Sequence, residues 1–317
     1  MGRSGSTGLS KTATSLIAQS TRTQTKIKYG SIENKWRQYC SQHGYDTKAT
    51  TETLLNFLAD EFQRGLKYTY LRGYTAALAK FTQDVDHNAL SSLLKGIHNS
   101  RPPVPRYSAI WDVNLVLNYI GAMKTDSMMD CTLKTAALLM LLSGNRVNML
   151  SNLRVDSMVL TDTECTFLFK NVLKHTRPGK TEDPMVFRAY PDHPSLCPVK
   201  AVLKYLEMRG PLTAVPELFV TTRKPYSVAH HDTITRWLKK VLEFSGIDTG
   251  RYTAHSYRSA STSAAALGGV SISTILKSAC WANVGTFREY YQRDLDLVYE
   301  QPAKNFGSEV LHLYHSL

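Results

Sequence analysis

From Lys26 onward, apolar residues recur three or four apart at Tyr29, Ile32, Trp36 and Tyr39, with Lys28, Lys35 and Arg37 around them. That spacing predicts an amphipathic basic helix. A second stripe follows at Leu54, Leu55, Phe57, Leu58 and Phe62, and YTYLRGYTAALAKFTQDV supplies a third with Leu71, Tyr74, Ala77, Leu78 and Phe81. Helices with one apolar face must pack on one another, so 26–100 reads as a small helical domain. RPPVPRYS, Arg101 to Ser108, has three prolines in four positions and suits neither helix nor strand. It marks a linker over 101–108, and the rest, 109–317, reads as a second domain.

In that second domain, TLKTAALLMLLSGNRVNMLSNLR reads as a buried helix, a Ser-Gly turn and a second helix. The period then changes. ECTFLFKNVLKHTRPGKTEDPMVFRAY alternates, breaks at RPGKTEDP and resumes, the pattern of a β-hairpin or meander. Helices return from Pro198 to the end, closing on a stripe at Phe306, Val310, Leu313, Tyr314 and Leu317. The expected class is mainly α, with a small antiparallel β-sheet in the second domain.

Residues 1–25 are rich in Ser, Thr and Gly, and no acidic residue precedes Glu33. They read as a disordered basic arm. MGRSGS also fits a myristoylation pattern, and the stretch has a transit-peptide-like composition, but a flexible arm accounts for both.

Charge sharpens the picture. The chain carries a net +12, and 15 Lys and Arg stand against 7 Asp and Glu up to Tyr107. So basic a front third points to an acidic partner, nucleic acid before membrane. The longest apolar run, Ala136 to Leu142, is seven residues, far short of the roughly 20 a membrane helix needs. Five scattered cysteines without a C-x-x-C pair give no disulfide framework or zinc ribbon, and the histidines lack H-E-x-x-H spacing. Neither a metal nor another cofactor is expected.

The chemistry centres on TAHSYRSASTSAAALGG, Thr253 to Gly269. His255 and Arg258 are three apart at the head of a helix whose body is Ala and Ser. On one helical face, beside free N–H groups and the positive end of the dipole, they make a phosphate site. The small-residue body lets such a helix pack closely, holding that head in place. Arg146 follows a Gly turn behind a buried helix, and Trp281 and the pair Tyr290 and Tyr291 come later.

The ordered set GNRVNMLSNL, a hairpin lysine, HSYR, CW and a tyrosine nine or ten positions beyond the Trp resembles the tyrosine recombinase/integrase family, from about Ile27 to Tyr291. The STILKSACW and TFREYY phrasing looks most like the eukaryotic DIRS-like and Crypton-like mobile-element branch. The resemblance implies a two-domain C-shaped DNA clamp, with the basic helical domain as a SAM-like core-binding domain. It implies metal-independent cleavage and rejoining of DNA through a 3′-phosphotyrosyl link.

In that scheme Arg146 and Arg258 clamp the scissile phosphate, Trp281 donates its indole N–H, and His255 is a second donor or proton shuttle. Lys174 is the expected general acid, with Lys170 and Lys180 as alternatives. Tyr291 is favoured as the nucleophile and Tyr290 is the alternative, since neighbours in a helix point about 100° apart. Lys28, Lys35, Arg37, Arg72, Arg101 and Arg106 are the candidate DNA contacts. Double-stranded DNA is the implied partner and the C-terminal stripe implies a homo-tetramer on it, in the nucleus if the chain is eukaryotic and in the cytoplasm otherwise. Two departures stand out: Met149 where many members carry an acid, and Cys280 where the usual residue is Gly. A domesticated, non-catalytic DNA-binding protein and a type IB topoisomerase-like enzyme are the alternatives.

Overall fold

The computed structural model describes residues 10–82, 84–103, 109–169, 183–280, 285 and 294–295. The chain divides into two units between Val104 and Pro105, inside the proline-rich stretch.

The first unit begins with a correction. Residues expected to be a disordered arm include a helix, α1 (Lys11–Gln19), and the next, α2 (Thr23–His43), already runs through 23–25. The Ser10 side chain caps α1 by accepting from the Ala13 N–H at 3.1 Å. Capping and ordinary helix formers outweigh the Ser/Thr content here. The helix buries little, for Leu16 and Ile17 stay exposed.

Behind α2 come α3 (Thr51–Gln63), opened by a Thr50–Thr53 capping box, and α4 (Tyr68–Leu78), which tightens into a 3-10 turn at Ala79–Phe81. A helix that the apolar stripes did not announce, α5 (His87–Ser100), is capped by Asp86 and fully buries only Ile97. The core is the one the stripes predict: Trp36, Leu54, Phe57, Leu58, Leu71 and Leu78 are sealed off. Trp36 and Phe57 meet edge to face at 5.2 Å, and the Trp36 indole donates to the Thr47 carbonyl.

In the second unit a short strand, β1 (Ala109–Ile110), leads into α6 (Val113–Ala122) and α7 (Met128–Ser143). Every residue of α7 from Cys131 to Leu141 is buried, including the polar Thr132, Lys134 and Thr135 ahead of the apolar run 136–141. It ends at Gly144, in the left-handed conformation at φ 58°. The following helix, α8 (Val147–Leu150), is a single turn.

Next, β2 (Met158–Leu160), β3 (Glu164–Phe167) and β4 (Met185–Arg188) form an antiparallel sheet in that order. Cys165, Phe167, Met185 and Phe187 point into the core, the alternation expected of a half-buried hairpin. Then come α9 (Pro198–Arg209), α10 (His231–Phe244), α11 (Ser256–Leu267) and α12 (Ile272–Ser278). One pairing was not foreseen: β5 (Asp294–Leu295) lies parallel to β1, Asp294 opposite Ala109.

Gly144 tests this arrangement. A Cβ there would sit 3.0 Å from Thr262 Cγ2 on a backbone only glycine adopts without strain. Gly144→Ala is expected to cost roughly 1–3 kcal/mol, read as a lower denaturant midpoint for the second unit with unchanged slope.

Candidate active site

Three consecutive residues at the head of α11 each bolt it to a different element. Ser256 Oγ accepts from the buried Trp111 indole N–H at 2.8 Å and donates to the Thr253 carbonyl. The Tyr257 hydroxyl donates to the Leu238 carbonyl of α10, and full burial pushes its pKa well above the ordinary value. Arg258, with no exposed surface, donates from Nη1 to the Gly144 carbonyl at 3.0 Å and from Nη2 to the Ala279 carbonyl at 2.8 Å. Its planar fork therefore ties α11 to the turn before Arg146 and to the end of α12, next to Cys280.

Further bonds knit the same junction. Asn145 Nδ2 donates to the Ser278 carbonyl, Ser278 Oγ to the Ser143 carbonyl, and Ser261 Oγ to the Leu141 carbonyl. Asn145 Oδ1 is buried without a hydrogen-bond partner among the described residues. Asn145, Ser256 and Tyr257 carry no charge, and nothing in their spacing singled them out. The small residues of GNR and HSYR were the available signal that these backbones approach closely.

His255 and Arg258, three apart at the start of α11, differ in burial. His255 is the exposed capping residue, whereas Arg258 lies on the packed side. The first turn of α11 is buried from Ser256 to Ser259, so only the cap stays in solvent.

Arg146 differs from Arg258. It is half-buried at the head of α8, and its guanidinium makes no hydrogen bond or ion pair among the described residues. Met149, in the place of the usual acid, is buried nearby and offers no neutralising charge. A half-buried cation without a counter-ion is a poor arrangement unless an anion completes it.

Cys280 has φ 52°, a conformation that glycine adopts freely and other residues rarely do. Glycine, the residue expected at this place, adopts such a backbone without strain. Trp281, Tyr290, Tyr291, Lys170, Lys174 and Lys180 lie outside the described residues, as do the C-terminal stripe and Arg106.

Beside this junction a cleft of about 530 Å³ opens between the end of α7, the β3–β4 hairpin and α12. Arg188 and Lys277 line it together with Glu164 and Asp183. Among the described residues these charges balance. Among the described residues no group of three or more His, Cys, Asp or Glu is placed to hold a metal ion.

In the first unit the candidate DNA contacts separate into two groups. Lys35 donates to the Tyr74 hydroxyl and pairs with buried Glu61, contacts that raise its pKa against partial burial. Arg37 pairs with Glu33, and Arg101 stacks 3.6 Å over the Phe62 ring and donates to the Phe62 carbonyl. Lys28, above the Tyr70 ring, and Arg72 have exposed side chains without ion pairs among the described residues.

Arg258→Lys, which cannot span both carbonyls, is expected to destabilise the second unit by about 1.5–3 kcal/mol. Arg146→Gln is expected to change stability by less than about 0.5 kcal/mol; chemical denaturation of both variants makes the comparison. Cys280→Gly should cost nothing and gain up to about 1 kcal/mol, whereas Cys280→Val should lose at least that much, read as opposite shifts of the thermal midpoint.

No protein-family model matches the chain, and no curated protein matches it. Solved structures do. A Tn1549 transposon integrase in complex with transposon right end DNA aligns over 93% of this chain and 94% of its own, with a TM-score of 0.61 and 13% identity. A lambda integrase dimer bound to a COC′ core site covers 92% and 96%, at a TM-score of 0.58 and 15% identity. XerH site-specific recombinase bound to difH substrate covers 83% and 74%, at 0.55 and 15%. The chain has the fold of the tyrosine recombinases and integrases.

Proposed function

We propose that this chain is a DNA strand-exchange enzyme, a site-specific recombinase or integrase of a mobile element. The observation that carries the reading is the buried Arg258 fork, which brings the Arg146 turn and the segment entering Trp281 to the head of α11. These are the parts such a reaction needs together.

In the reaction, the phenolic oxygen of Tyr291, or of Tyr290, attacks the scissile phosphorus. The bond to the 5′-oxygen breaks, leaving a 3′-phosphotyrosyl link, and the 5′-oxygen takes a proton. Attack by the hydroxyl of another strand reverses these steps without an external energy source. A phenol with pKa near 10 needs cationic help at neutral pH.

Arg146, lacking a counter-ion of its own among the described residues, supplies that charge directly, with Arg258 one hydrogen bond from its turn. His255, at the exposed cap, donates to phosphate or shuttles the phenol proton. Trp281 adds an indole N–H, and Lys174, or Lys170 or Lys180, protonates the leaving oxygen. Lys28 and Arg72 contact duplex phosphates, and the C-terminal stripe docks on a neighbouring copy in a tetramer; one structural neighbour is a lambda integrase tetramer bound to a Holliday junction.

A second reading, a DNA-binding protein that no longer cleaves, has one observation in its favour: Arg258 is wholly covered.

A nicked suicide duplex drawn from the sequence flanking the gene, incubated with the wild type, Tyr290→Phe and Tyr291→Phe, tests both readings. The expected result is a protein–DNA adduct on denaturing gels, lost in Tyr291→Phe and kept in Tyr290→Phe. Loss in Tyr290→Phe alone would move the nucleophile by one residue. Salt-sensitive binding with no adduct from any of the three proteins would favour the non-cleaving reading.

A further inference from the structure

Ten residues before Gly144, about 15 Å along α7, Lys134 is 8% exposed and makes no hydrogen bond or ion pair among the described residues. Burial lowers its pKa, and no carboxylate acts on it to hold the ammonium form. Its side chain lines a cleft of about 170 Å³, where Lys200 and Lys204 of α9 join it with Thr125 and Ser195. Among the described residues no Asp or Glu lines that cleft.

The cleft also meets the start of α9, a 12-residue helix without an acid in its first turn. Pro198 has no N–H to offer. Val199 and Lys200 present the first-turn donors, while the Ala201 N–H is taken by the Cys197 carbonyl. Lys204 also reaches Glu207 at 3.2 Å, but that pair is half exposed and contributes little. A lysine buried along its stem, whose ammonium opens on the cleft without a partner among the described residues, two exposed ammonium groups and a helix N-terminus thus converge on one concavity.

We propose that this cleft is an oxyanion site of the phosphate class, separate from the Arg146–Arg258 junction. Lys134 provides one ammonium, Lys200 and Lys204 close over the anion, and the first-turn N–H groups of α9 complete its hydrogen bonds. Either a free phosphate or a nucleic-acid backbone phosphate has this chemistry. The inference does not rest on the DNA-cleaving function.

The test titrates inorganic phosphate into the full-length protein at constant ionic strength, following the phosphorus resonance and the thermal midpoint. The wild type is expected to saturate and to gain stability as it does. Lys134→Met keeps the aliphatic stem without the charge, and should bind at least about tenfold more weakly, with an unfolding midpoint without phosphate no lower than that of the wild type. If that variant does not fold, the double substitution Lys200→Gln and Lys204→Gln changes only exposed side chains and should show the same loss. Non-saturable binding, or equal binding by wild type and variants, would overturn the proposal.

Duplex binding between 50 and 200 mM salt then identifies the source. A salt slope lowered by about one in the folded variant assigns the site to a backbone phosphate. Unchanged duplex binding alongside lost phosphate binding assigns it to a free phosphate.

Discussion

A guanidinium buried without water is tolerable only where its N–H groups find acceptors. At Arg258 two of those acceptors are main-chain carbonyls, Gly144 and Ala279, in segments far apart in sequence. Neither segment is held in place by a regular ladder there: one is the end of α7 and the other the end of α12. The Arg258 fork fixes their separation because its two terminal nitrogens are rigidly spaced. Displacing either segment would strand a charge in the interior, so the junction behaves as one piece.

The neighbouring features depend on that lock. Gly144 must be glycine because α11 passes within contact distance of its Cα hydrogens, and the Ala/Ser/Thr body of α11 is what allows the approach. Asn145 and Ser278 repeat the bridge with side-chain amide and hydroxyl. The left-handed turn at Cys280 then redirects the chain into Trp281. A reactive centre gains from such a frame, since groups that meet a transition state must be positioned before it forms. Arg146 stands at the edge of the frame, half-buried and without an ion pair among the described residues, whereas Arg258 is consumed in holding the structure.

The basic first unit shows the same division of labour. Lys35, Arg37 and Arg101 are exposed like Lys28 and Arg72, but they lean on Glu61, Glu33 and the Phe62 ring and carbonyl. Their charge belongs partly to the fold. Lys28 and Arg72 keep theirs facing water. Net charge alone counts all five alike, and so overstates the number available to an acidic partner.

Periodicity by itself determined much of this protein. The stripes at Ile32, Trp36 and Tyr39, the apolar run from Ala136 to Leu142 and the alternation about Cys165 and Phe187 announced helices, a core and a sheet, because burial imposes a pattern on whatever must be covered. The order of GNR and HSYR along the chain marked two segments that meet where Arg258 donates to the Gly144 carbonyl. Other features were decided only in three dimensions. Ser10 caps a helix in a stretch whose composition reads as disorder, and α5 forms although it fully buries only one residue. His255 and Arg258 part company because one caps the helix while the other meets packed carbonyls. The β1–β5 pair joins residues nearly two hundred positions apart. Local patterns report which face of an element is covered, but what covers it, and which charges are neutralised there, depends on segments that only folding brings into contact.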